Sequence, residues 1–393
     1  MNICLVSHSF YPATSYGGPI FSTYELSKRL AELGFNIYVS TTNSNGSNSL
    51  SVNTDKFIEV HKRLFVRYYF EQITYFFSLS FIFGLWNDIK RSDLVYLQYI
   101  FHYTVPLALF YSFLLNKRLV ICPRASLSPW GIRWKGRISS LFKKIWLYLF
   151  IRPFANNIKW QGCSSIEIKD IHSFFPNADC YDLPDGIDVN SFDFKKTISL
   201  VDIVRKYTNK EFDLVSDIIF SMGRLHKIKG FDILINSFSS VLLHKPNAKL
   251  LIAGSDDNYE SFLKQEIARL DLVESVFLIG QLDNIEKKEV LAHASLFALC
   301  SHVESFGIVV LEALASGTPV IVSDKTIWNE LEKHKCGIFV SNNPDLFASA
   351  LVAGLNTNYL SEDCINYVNS RYNIDIIADN FVKFFVKTNE SKY

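Results

Sequence analysis

The stretch Ile218-Ile-Phe-Ser-Met-Gly-Arg-Leu-His-Lys-Ile-Lys-Gly230, taken with Glu304-Ser-Phe-Gly-Ile-Val-Val-Leu-Glu312, decides how this chain reads. In each, charged residues stand where a strand gives way to a Gly-bearing loop and a new helix. A helix start offers free backbone N–H groups and a partial positive charge, which suit an anion. Arg224 and Lys229 add two cations to that setting. Glu304 and Glu312 can accept hydrogen bonds from hydroxyls but repel phosphate. Phosphate binders on one side and carboxylates on the other fit a sugar nucleotide.

Outward from these stretches the pattern alternates. Strands are expected at Ile218–Met222, Lys249–Ala253, Val276–Leu278, Leu296–Leu299 and Val320–Ser323, with helices at 230–243, 259–270 and 308–316, the last closed by Gly317. Such alternation gives a doubly wound α/β domain. The N-terminal half opens the same way. A strand over 2–10 and a loop over 11–18 lead into a helix over 19–33, which has Pro near its start and Gly34 at its C-cap, and a strand over 37–41 follows. That is the opening of a parallel α/β domain. A polar loop over 43–55 comes next, then an aromatic helical region over 58–89, strands over 94–99 and 119–122, a helix over 136–150 and a strand over Ile158–Gly162. The expected division is an N-terminal domain over 1–190, a linker over 191–210, a C-terminal domain over 211–370 and a C-terminal helix over 371–393 packing back on the first domain. Two such domains leave a cleft between them, where ligands are expected.

At 393 residues the chain has ample core for two domains. Lys and Arg number 40 against 39 Asp and Glu, so no nucleic-acid partner is implied. Seven Cys are scattered without a CxxC pair, which reads as reduced thiols in a cytoplasmic protein. The N-terminus runs straight into a strand with no basic segment, so no signal peptide is expected. The uncharged run 94–115 is long enough to raise a membrane span, but Gln98, His102, Thr104 and Pro106 break it, and a strand followed by a buried helix explains it better.

Charge distribution says more than the total. No Asp or Glu occurs over 94–166, where Lys117, Arg118, Arg124, Arg133, Lys135, Arg137, Lys143, Lys144, Arg152 and Lys159 interleave with Trp130, Trp134, Trp146 and Trp160. With the aromatic run 75–86, this suits an anionic membrane surface or a lipid-linked phosphate substrate, which would place the protein on the cytoplasmic membrane face; the alternative is a solvated basic face whose aromatics are core.

Lys229 at a helix start opposes the helix dipole, and a bound diphosphate would reverse that sign. Glu312, one or two turns into its helix, can chelate the vicinal hydroxyls of a ribose. Glu304 lies beside the free N–H groups of Phe306, Gly307 and Ile308. Gly17-Gly18, just before the first helix, permits close backbone approach to phosphate or sugar. His8 ends the first strand, where it could face the cleft. No GxGxxG fingerprint, P-loop or G-x-S-x-G elbow occurs. No two Asp are spaced D-x-D, which argues for a metal-independent site with no cofactor, where Arg and Lys neutralise the diphosphate.

These residues together resemble the retaining glycosyltransferases of family 4, which have the GT-B fold. The matching pieces are Gly17-Gly18 and its helix, Cys122-Pro-Arg-Ala-Ser-Leu-Ser-Pro129, Leu183-Pro-Asp-Gly-Ile-Asp188, Gly223 to Gly230, and Glu304 to Glu312 running on into Ala-Leu-Ala-Ser-Gly-Thr-Pro319. The resemblance implies that Arg224 and Lys229 bind the diphosphate of a UDP- or GDP-sugar and that Glu312 binds its ribose. It further implies that Glu304, with the amides of Phe306 to Ile308, holds the donor sugar, and that Gly18 approaches the diphosphate. The implied reaction is hexosyl transfer to a glycan, with a polyprenyl-diphosphate-linked acceptor in surface-polysaccharide synthesis. Two positions depart from the family pattern. Arg124 stands where many members carry His near the transferred sugar, and Asp185 stands where Asn is usual. Arg stays protonated in proteins, so Arg124 offers no acid or base. Two other readings share the nucleotide site: an epimerase or hydrolase of the same fold, and a non-catalytic sugar-nucleotide binder.

Overall fold

The computed structural model describes residues 1–73, 77–133, 136–193, 198–208, 217–304 and 306–387. The chain divides into two units, 1–186 with 374–393 and 187–373. Each is built on one sheet.

The first unit contains β1 (Asn2–Val6), β2 (Asn36–Thr42), β3 (Ser44–Asn45), β4 (Asn48–Ser49), β5 (Phe57–His61), β6 (Leu64–Tyr69), β7 (Leu94–Gln98), β8 (Arg118–Cys122), β9 (Ile158–Gly162) and β10 (Asp179–Asp182). Its main sheet runs β10-β9-β8-β7-β1-β2-β6-β5, while β3 and β4 form a separate two-stranded ladder. All pairings in the main sheet are parallel except β5 with β6. Parallel strands are covered on both faces, which is why β1, β7 and β8 are nearly continuous apolar runs. Helices Leu79–Lys90 and Thr104–Leu114 pack there, and Leu85, Ile89, Val95, Leu97, Ile121 and Trp160 lie in one core.

The aromatic stretch 58–89 is not one helical region. It holds the β5–β6 hairpin, turned at Arg63 with φ 65°, and only then the helix Leu79–Lys90. The alternation of buried Leu64, Val66 and Tyr68 with half-exposed Phe65 and Arg67 is a period-two signal, and it overrides the aromatic richness. The run 94–115 resolves into β7 and the helix Thr104–Leu114. Among the described residues no helix is long and apolar enough to cross a membrane.

The second unit contains β11 (Ile218–Met222), β12 (Lys249–Ala253), β13 (Val276–Leu278), β14 (Leu296–Leu299), β15 (Val320–Ser323) and β16 (Gly337–Val340). Their order is β13-β12-β11-β14-β15-β16, all parallel. This is the doubly wound order in which chain direction across the sheet reverses between the first and fourth strands, here β11 and β14. Ligands of such sheets bind outside the carboxyl ends of the strands at that reversal. Phe238, Leu250, Ile252, Ala298, Ile321 and Phe347 share the core beneath it.

The segment expected as a linker over 191–210 belongs to the second unit, and the chain leaves the first unit at Gly186. Within it, helix Leu200–Thr208 buries Leu200, Ile203 and Val204, and so is packed rather than connecting. Residues 194–197 and 209–210 of that segment lie outside the described residues. Helix Ile374–Phe381 lies in the first unit, where Asp375 pairs with Arg29 at 2.6 Å. Lys159 Nζ donates to the Phe384 carbonyl at 3.1 Å in the same unit.

Candidate functional site

At the reversal point of the second unit, Gly223 follows β11, and a 3-10 turn Lys227–Lys229 precedes helix Phe231–Val241. Lys229 therefore ends the turn rather than starting the helix. Gly230 has φ 66°, and a Cβ there would collide with the Cys300 carbonyl, so only glycine lets this turn pass under the end of β14. The Lys229 stem crosses Gly223, its Cε 3.4 Å from where a Cβ would stand.

That path delivers the Lys229 ammonium to Glu304 Oε2 at 2.6 Å, and Ser301 Oγ donates to the same oxygen at 3.3 Å. Both charged side chains are mostly buried. Gly307, with φ 83°, caps helix Ile308–Ala315, and the Trp328 indole N–H fixes the turn by donating to the Phe306 carbonyl at 2.8 Å. The helix thus starts at Ile308, directly after the Phe306-Gly307 turn. One turn further, Glu312 Oε1 accepts from Lys287 Nζ at 2.6 Å. Arg224 stands apart on the rim, half-exposed and paired with Asp257 at 3.0 Å. The second unit thus gathers two cation–carboxylate pairs at the carboxyl ends of β11 and β14. Lys287 and Asp257 carried no local signal in the sequence.

In the first unit, the reversal lies between β1 and β7. His8 follows β1 and packs against Tyr16, Tyr99 and His102, with ring centroids 5.1, 4.6 and 5.3 Å away. Burial lowers His8 to about 4, and burial together with His8 lowers His102 to about 3, so both imidazoles are neutral near pH 7. Gly17, with φ 80°, is the N-cap of helix Gly18–Glu32, and among the described residues no atom beyond its chain neighbours lies within 4 Å of where its Cβ would be.

Arg124 follows β8 with φ 54°, and Ala125 follows with φ 58°, an unusual pair of left-handed residues outside glycine. The bend turns the guanidinium inward. Its Nη1 pairs with Asp185 Oδ1, its Nε donates to Gln98 Oε1 at 2.8 Å, and its Nη2 donates to Thr23 Oγ1 at 3.2 Å. The two departures from the family pattern are therefore ion-paired to each other. Nη1 also reaches Cys163 Sγ at 3.3 Å, and Cys163 lies 3.5 Å from Cys122 Sγ. Cys122, Cys163 and Glu167 bring potential metal-ligating atoms within 4.8 Å of one another, a grouping that sequence spacing did not reveal. Glu167 instead accepts from the amides of Ala125 at 2.6 Å and Cys163 at 2.7 Å, and the adjacent guanidinium disfavours a cation. All seven cysteines are free thiols.

The basic, aromatic stretch 94–166 divides on folding. Trp160 and Arg124 are interior. Lys117, Arg118 and Lys159 donate to backbone carbonyls. Trp134, Lys135 and residues 74–76 lie outside the described residues. A continuous apolar surface lies on helix Gly136–Trp146 and the turn Leu147–Ile151 after it. There Ile138, Leu141, Phe142, Ile145, Tyr148 and Leu149 are all exposed, Ile138 to 74% and Phe142 to 68%. Their spacing of three and four residues makes one apolar helix face. Arg133, Arg137, Lys144 and Arg152 are exposed around it.

Part of the chain is similar to known proteins. Residues 207–371 match the glycosyl transferases group 1 family. A mannosylfructose-phosphate synthase of Agrobacterium fabrum is 30% identical over 36% of this chain and 32% of its own length. A phosphatidyl-myo-inositol mannosyltransferase of Mycobacterium leprae is 26% identical over 68% of this chain and 72% of its own. The chain spans about a third to a half of the first curated relatives it matches. Among solved structures, Anabaena HepE in complex with UDP and glucose superposes with TM-score 0.74 at 19% identity, over 98% of both chains. That likeness establishes the GT-B fold, with two Rossmann-like domains.

Proposed function

We propose that this protein, whose residues 207–371 match the group 1 glycosyltransferases, transfers a hexosyl unit, with retention, from a UDP- or GDP-sugar to a polyprenyl-diphosphate-linked glycan in surface-polysaccharide synthesis. The observation that carries the reading is the meeting of Lys229 with Glu304, and of Lys287 with Glu312, at the reversal point of the second sheet. In this reading Lys229 and Arg224 neutralise the donor diphosphate. Glu304 and the amides of Phe306, Gly307 and Ile308 hold the sugar, and Glu312 holds the ribose. His8 faces the acceptor sugar as a neutral imidazole, and Arg124 acts on that side by holding Asp185. Stabilising the departing nucleoside diphosphate supplies most of the catalysis, and no metal or cofactor takes part.

The test is incubation with labelled UDP- and GDP-sugars in EDTA, with and without a bacterial lipid extract. Release of nucleoside diphosphate that requires the lipid is the expected result. Release without acceptor would instead indicate a hydrolase, conversion of the donor to an isomeric sugar nucleotide an epimerase, and binding without turnover a sensor.

The apolar face of helix Gly136–Trp146 fits an anionic bilayer, with its aliphatic and aromatic side chains in the acyl boundary and the flanking cations among the headgroups. Each cation near such a surface contributes about 1 kcal/mol, and that share fades with salt. The protein should therefore pellet with anionic liposomes at low salt and be released at high salt. Leu141→Ser with Phe142→Ser should weaken pelleting at low salt while leaving donor binding unchanged. Indifference of the unmodified protein to anionic liposomes at low salt would sink the membrane reading.

A further inference from the structure

Glu312 sits in helix Ile308–Ala315 with its side chain almost fully buried, where an ionised carboxylate needs partners. Lys287 provides one at Oε1 and is itself only 15% exposed. Lys287 lies in the first turn of helix Asn284–His293, where a cation opposes the helix dipole, so local preference does not explain it. The preceding residue anchors the arrangement. Glu286 closes a capping box with Asp283, and its two oxygens take Lys206 Nζ at 2.6 Å and Tyr207 OH at 2.8 Å. The start of this helix is therefore tied to helix Leu200–Thr208, and Lys287 projects from a fixed base.

We propose that Lys287 is a positioning residue for nucleotide recognition: it holds Glu312 through Oε1 and leaves Oε2 to accept from a ribose hydroxyl of the donor. This rests on the reading that Glu312 meets the ribose. A bare carboxylate in that site could rotate and would repel the nearby diphosphate, whereas one held by an ammonium is both oriented and neutralised. A side chain that orients one hydroxyl contact should govern discrimination between ribose and deoxyribose, and a merely structural side chain should not.

The experiment is calorimetric titration of the full chain with UDP and GDP and with their 2′-deoxy and 3′-deoxy forms. The unmodified protein should prefer the ribonucleotide by about tenfold or more, the usual strength of a hydrogen bond to a charged group. Lys287→Met should weaken the ribonucleotide by about tenfold and the deoxy form little, so that the preference falls below about twofold. Lys287→Arg should restore most of it. In turnover, KM for the donor should rise while kcat changes little, because the ribose does not react. If Lys287→Met does not fold, Lys287→Gln is read by the same ratio. A variant that folds and keeps the full ribose preference overturns the role of Lys287. An unmodified protein that binds the nucleotides but ignores the missing hydroxyl overturns the ribose reading of Glu312, and the inference with it.

Discussion

Lys229→Ala should lower kcat/KM for the sugar-nucleotide donor by about a hundredfold or more, the usual loss when one preorganised donor to developing charge is removed. The expectation is large because the ammonium has two duties at one place. It is held 2.6 Å from Glu304 in a mostly buried setting, so its attraction for a diphosphate is little screened. Its removal also leaves Glu304 with only the Ser301 hydroxyl as an assigned partner among the described residues, and the remaining carboxylate would repel the donor. Lys229→Ala/Glu304→Gln separates the two effects. It should recover part of the donor affinity, because the repulsion has gone, but little of kcat, because the cation has gone. Steady-state kinetics with a melting curve for each variant decides the matter. Full activity in folded Lys229→Ala would remove Lys229 from the site.

Arg124→Met should destabilise the first unit by about 3–5 kcal/mol, because it strands the buried Asp185 carboxylate without its counter-charge. In a unit of this size that amounts to a fall in Tm of roughly 10 °C or more. Asp185→Asn in the same chain should be less harmful than the two single losses added together, with a coupling of about 1–3 kcal/mol. The physical content is that Arg124 and Asp185 form one unit. A chain with Arg at the first position calls for an acid at the second, and one without Arg has no charge to balance there. Simple additivity of the two losses, measured by thermal melts, would show that the pair is not coupled.

What was legible in the sequence was local. β11, β12 and β15 are apolar runs ended by Gly or a small polar residue, and their bounds follow from period and punctuation alone. Gly230 and Gly307 announce turns for the same reason. What escaped were meetings between distant loops. Lys287 lies on a helix whose sequence reads as an ordinary solvated face, and only the packing of Glu286 on Lys206 and Tyr207 shows that its neighbour points inward. The pairing of Arg124 with Asp185 depends on the order β8-β9-β10 in the sheet, which no local pattern states. The hairpin β5–β6 was hidden for a different reason. Its aromatic side chains suit a strand and a buried helix equally, and the deciding feature, Arg63 in a left-handed turn, is rare outside glycine. The acid-free stretch 94–166 misled by its uniformity, since folding sends Arg124 and Trp160 inward while the helix near 140 turns a whole apolar face outward.

The central claim is that the cations and carboxylates at the carboxyl ends of β11 and β14 form a sugar-nucleotide site. Its most direct measurement is calorimetric titration of the unmodified protein with UDP and GDP in EDTA, repeated on Lys229→Ala. The prediction is one nucleoside diphosphate bound per chain, weakened at least tenfold in the variant. Binding of neither nucleotide, or equal binding by both proteins, would contradict it.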